Sequence, residues 1–102
     1  MKNELDYVTL LKNAADTIIE FFNEAIAIAK KYEADESHVT EFKAMVDKIK
    51  PAGITYSAVH EEVACNMGMD AFFSNEHIKS IGKAVTGRHQ ELLQHIIPLL
   101  KE

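Results

Sequence analysis

The first thirty residues constrain this chain most, because they form a helix too apolar to lie on a surface. From Leu5 to Tyr32 there is neither Pro nor Gly, and a seven-residue frame runs through Val8, Leu11, Ala15, Ile18, Phe22, Ala25, Ala29 and Tyr32. A second apolar row, Tyr7, Ala14, Phe21 and Ile28, flanks that seam on one side, and Leu5, Ile19 and Ile26 flank it on the other. Apolar side chains therefore cover well over half the cylinder. A helix of this kind is packed on several sides, either at the centre of a helical bundle or shared between two chains.

The rest of the chain reads as helix with almost no strand signal. The expected architecture is all-α: a four-helix bundle-like domain with two long helices, about 4–33 and 75–100, and two short ones, about 37–49 and 55–67. Asn3 is placed to cap the first helix, with Asp6 reaching back. The polar stretch Ala34-Asp35-Glu36-Ser37 interrupts the seven-residue frame and predicts a turn, although one uninterrupted helix is the alternative. Lys50-Pro51-Ala52-Gly53 is the clearest break: proline removes a donor and disfavours helix at the residue before it. Gly68 predicts a helix stop, Met69 to Phe73 a short apolar connection, and Ser74 the cap of the last helix with Glu76 in its first turn. In that helix Ile78, Val85, Leu92, Ile96 and Leu99 form the seam, Leu93, Ile97 and Leu100 widen it, and Pro98 removes a bond near its end.

A chain of 102 residues suggests a single domain over 1–102, with a core small enough that association would help it. The apolar runs are far shorter than the roughly 20 residues needed to span a bilayer, and the N-terminus lacks a signal core, which places the protein in the cytoplasm by expectation. One cysteine rules out an intramolecular disulfide framework, and a net charge of −5 with scattered basic residues argues against nucleic acid as a partner.

Four groups of residues invite a chemical reading. His60, Cys65, Met67 and Met69 lie within ten residues and combine imidazole, thiolate and thioether, a set suited to soft metal ions. Met and Cys equally fill irregular core space near helix ends, and no second Cys or His at helical spacing completes a site. His89 stands on the seam of the last helix between Val85 and Leu92, where it would set register, pair with a buried group or ligate a metal or haem; His95 lies nearer the edge. His60-Glu61-Glu62 offers an acid beside an imidazole, but neighbours along a helix do not face one another. His77, with Lys79 and Gly82 after it, lacks the spacing of a phosphotransfer histidine. Gly82-Lys83 lacks the flanking Gly and hydroxyl of a phosphate loop. Gly82 inside a helix implies a hinge or close approach of another helix, and close approach is the favoured reading, by the first helix or that of a second copy.

These observations carry no catalytic motif and imply no cofactor. The expectation is a non-catalytic interaction or regulatory protein of adaptor, inhibitor or immunity type, its partner another protein or a second copy, neither nucleic acid nor membrane. The surface assigned to that contact is Val8, Leu11, Ile18, Ile19, Phe21, Phe22, Ile26, Gly82 and His89. A small metal-, haem- or ligand-binding bundle is the alternative, and a histidine phosphotransfer module a third.

Overall fold

The computed structural model describes residues 4–100, with side chains from Asp6 to Pro98. Helix α1 (Glu4–Ala34) leads through a 3-10 turn (Glu36–His38) into α2 (Val39–Met67); a short α3 (Met69–Ser74) then precedes α4 (Glu76–Leu100). No strand occurs among the described residues. The start of α1 packs with the end of α2 and the start of α4, in a lower cluster of Leu11, Val63, Phe72 and Ile78. The end of α1 packs with the start of α2 and the end of α4, where Ile18, Phe22, Ala25, Ile26 and Ala29 meet Phe42, Met45 and Leu92. Hence α2 runs antiparallel to α1, and α4 runs parallel to it. The bundle measures 51 × 19 × 17 Å, about the length of α1 itself.

The apolar breadth of α1 is explained by its position. It packs against both α2 and α4, whereas no described Cα of α2 comes within 8 Å of one in α4. Its seam from Leu11 to Ala29 is buried, and Ile26 on one flank is buried with it. The other flank, Tyr7, Ala14, Phe21 and Ile28, is only half-buried.

The two short helices expected at 37–49 and 55–67 are one helix of 29 residues that passes through Pro51. The reason is tertiary. Phe42, Met45, Val46, Ile49, Ala52, Tyr56, Val59 and Val63 keep a single helical phase across the expected break and all pack into the core of the bundle. Pro51 lies off that stripe and is exposed. Its ring costs one backbone bond, since the Asp47 carbonyl loses its donor. The Thr55 hydroxyl donates back to the Pro51 carbonyl at 3.0 Å. Burial of the stripe outweighs the local penalty. The layout is thus three long rods of 31, 29 and 25 residues with one short helix between the second and third, rather than two long and two short.

The turns follow local chemistry. Asp35 is extended, and its carboxylate accepts from the Ser37 N–H at 3.0 Å. That hydrogen bond holds the Asp35 carboxyl below its ordinary range. The expected turn after α1 therefore forms, although α2 begins two residues later than Ser37. Gly68 has φ +88°, a conformation that L side chains rarely adopt, and its N–H closes α2 on the Ala64 carbonyl at 3.0 Å. The connection expected at Met69–Phe73 is the helical turn α3, which buries Phe72 against the lower cluster. The cap of α4 is Asn75, not Ser74: the Asn75 side-chain oxygen accepts from the N–H groups of His77 and Ile78, at 3.0 and 3.1 Å. The Ser74 hydroxyl instead donates back to the Asp70 carbonyl at 2.8 Å, within the end of α3. The Asn3 cap lies outside the described residues, as do the Leu99 and Leu100 side chains. Helix α4 continues through Pro98.

Candidate functional site

Two concave faces flank the central helix. The first lies between α1 and α2 and consists of two adjoining depressions of about 370 and 440 Å³ that share Lys48. From α1 the wall residues Ala14, Thr17, Phe21, Glu24 and Ile28 recur at intervals of three and four. From α2 the facing wall includes Glu41, Ala44, Lys48, Pro51 and Thr55 at the same intervals, with Met45 and Ala52 beside them. This alternation is the spacing with which helices pack side by side in coiled coils and bundles. The half-buried row of α1 floors the groove, so its surplus apolar surface opens here. Glu24 and Lys48 face one depression from opposite walls, and neither is ion-paired among the described residues.

The second face lies between α2 and α4. A depression of about 380 Å³ is lined by Tyr56, Ser57, His60 and Glu61 of α2 and by Gly82, Val85 and Thr86 of α4. Burial of the Tyr56 phenol raises its pKa above the ordinary value. Gly82 was expected at a close helix contact, yet a Cβ there would meet nothing within 4 Å. The same is true of Gly87, whereas at Gly53 a Cβ would make an ordinary contact, 3.8 Å from Ile18 Cδ1. A glycine inside a helix costs about 1 kcal/mol relative to alanine. Packing within the chain gives no reason for that cost at Gly82.

The residues assigned to a partner contact divide. Leu11, Ile18, Phe22 and Ile26 are buried within the chain, their apolar surface already covered by α2 and α4. Val8, Ile19 and Phe21 are half-buried, Phe21 in the α1–α2 groove and Ile19 in a shallow depression beside Lys83 and Arg88. His89 is exposed rather than seated on a buried seam. Its ring stacks on Phe22, with centroids 5.5 Å apart and planes at 15°, and so covers the core from outside. His95 reaches across to α1, where its Nδ1 lies 2.9 Å from Glu33 Oε1.

The soft-ligand residues do not share one environment. Cys65 is exposed, Met67 packs on the lower core cluster, and Met69 is 58% exposed. The His60 ring stands edge-on to Phe72 at 4.8 Å. Among the described residues, no three His, Cys, Asp or Glu side chains come together as a metal site. His77 is exposed in the first turn of α4, beside the Glu76–Lys79 pair at 3.6 Å. No described helix is long and apolar enough to cross a membrane. Large apolar side chains stand exposed at Ile54, Met69, Phe73, Leu93 and Ile97. The sequence reading singled out neither Ile54 nor the α1–α2 groove. The groove was nonetheless encoded in Ala14, Phe21 and Ile28 of the half-buried row.

Comparison with protein-family models, with curated proteins and with solved structures finds no match to this chain.

Proposed function

We propose that the protein is a non-catalytic helical interaction protein, that the α1–α2 groove is its contact surface, and that a second copy of the chain is a partner for it. The observation that carries this reading is the length of the groove, two adjoining depressions along α1 and α2 where Ala14, Phe21 and Ile28 leave apolar surface uncovered, with the unpaired Glu24 and Lys48 on opposite walls. Two grooves brought face to face about a two-fold axis parallel to the helices set α1 of each copy against α2 of the other, the self-complementary arrangement of a homodimer. In that arrangement the unpaired Glu24 of one copy meets the unpaired Lys48 of the other, and the reciprocal pair forms as well. The exposed Asp16 and Glu20 remain outside, on the solvated edge of α1.

Native mass spectrometry and light scattering over a concentration series test the reading. A dimer is expected in the micromolar range. Glu24→Lys and Lys48→Glu each set like charges against one another and weaken it, by about tenfold in dissociation constant. The double exchange restores the opposite-sign pairs and recovers the dimer. A chain that stays monomeric to about 100 µM, a free energy of only about 5 kcal/mol, would overturn the assignment of a second copy. A dimer indifferent to all three variants would move the contact to another face.

A further inference from the structure

The α2–α4 depression takes no part in the contact just described and stands on separate observations. Its lining is chemically mixed. The Tyr56 and His60 rings, 6.1 Å apart, and Val85 form an apolar wall. Tyr56, Ser57 and Thr86 line the same space, and none of their hydroxyls takes part in a hydrogen bond within the described chain. Glu61 is the one acidic or basic side chain lining it apart from the imidazole, and it has no ion-pair partner among the described residues. Lys83, beside Gly82 in sequence, lines a different depression next to Ile19. Gly82 lines this wall, and a Cβ there would meet nothing within 4 Å, so the space beside it is open. A volume of about 380 Å³ falls within the range of small-molecule sites.

We propose that this depression binds a small aromatic amine, its ring laid against Val85 and the Tyr56 and His60 rings over Gly82, its ammonium group facing the Glu61 carboxylate. The three hydroxyls supply hydrogen-bond acceptors for the remaining ammonium protons. An anion of the same shape is disfavoured by Glu61, whose one ionisable neighbour in the lining besides the Tyr56 phenol is the His60 imidazole. The glycine in the middle of α4 then has a physical reason: it makes room for the ring.

The test is a titration of the ¹⁵N-labelled full chain with phenethylamine, followed by amide chemical shifts, with phenylacetate as the anionic control. Saturable shifts are expected at residues 56–61 and 82–86, with a dissociation constant of about 1 mM for so small a probe. Phenylacetate should leave those residues unmoved. Glu61→Gln should weaken phenethylamine about tenfold by removing the charge-assisted bond. Gly82→Leu fills the depression, improves helix propensity and should abolish binding in a folded protein. Gly82→Ala should raise the melting temperature while weakening binding, a pairing that a merely structural glycine would not produce. The proposal is overturned by shifts that do not saturate, by equal response to phenylacetate, or by binding that survives Gly82→Leu.

Discussion

Replacing Pro51 by alanine should stabilise this protein, although the residue lies at what reads in the sequence as a break. In the structure Pro51 is an interior residue of a 29-residue helix and is exposed. Proline in a helix interior costs about 3 kcal/mol relative to alanine, through the missing N–H and the clash with the carbonyl four residues earlier. That carbonyl belongs to Asp47. Against this stands the stiffness that proline gives the unfolded chain, a benefit of about 1 kcal/mol that the variant loses. No buried core contact is forfeited, because Pro51 lies off the buried stripe, on the exposed wall of the α1–α2 groove. The Thr55 hydroxyl bond to the carbonyl of residue 51 is retained. The net gain is about 2 kcal/mol, or roughly 10 °C in melting temperature for a chain of this length. Urea unfolding followed by helical circular dichroism, with the slope compared between wild type and variant, measures it. A neutral or destabilising result at unchanged slope would refute the continuous helix, for it would mean that the chain turns at Pro51 and uses its fixed φ.

Other perturbations probe the packing. Leu11→Ala empties a site that is 1% exposed in the lower cluster; a loss of about 3 kcal/mol in urea unfolding is expected, and under about 1 kcal/mol would show that the cluster is not the core described. His89→Ala uncovers Phe22 and should cost about 1 kcal/mol, whereas His89→Leu should fall within about 0.5 kcal/mol of wild type, because the ring acts as an apolar cover. Loss of a bound metal or haem on His89→Leu, detected by native mass spectrometry, would instead mark that residue as a ligand. Because burial raises the Tyr56 pKa in the fold, the neutral phenol is favoured there, and its contribution is complete below the unfolded value of 10.0 and lost as pH rises through the folded one. Tyr56→Phe should therefore flatten the alkaline fall in stability, and identical pH profiles above pH 10 would refute that origin. For Asp35, whose folded value is depressed, the sign is opposite: stability is present above 3.8 and lost as pH falls. Asp35→Asn should diminish the acid-side loss, measured in the same unfolding series.

The sequence by itself determined the helices that are long and periodic. The frame of α1, the turn at Asp35, the reversal at Gly68 and the start of α4 follow from side-chain periodicity and backbone chemistry within a few residues, and these are local properties. Even the continuity of α2 was present in the phase shared by Phe42–Ile49 and Tyr56–Val63, but a local penalty at Pro51 masked it. Only the tertiary structure decided that contest, because the benefit comes from packing against α1, beyond the turn at Asp35, and no local rule carries it. The same holds for the histidines. His89 and His95 occupy neighbouring turns of one helix, yet one covers Phe22 and the other meets Glu33, according to where α1 lies. Gly82 makes the point most plainly: the sequence shows a residue unfavourable to a helix, and only the arrangement of α2 and α4 shows that it fronts an open depression rather than a packed neighbour.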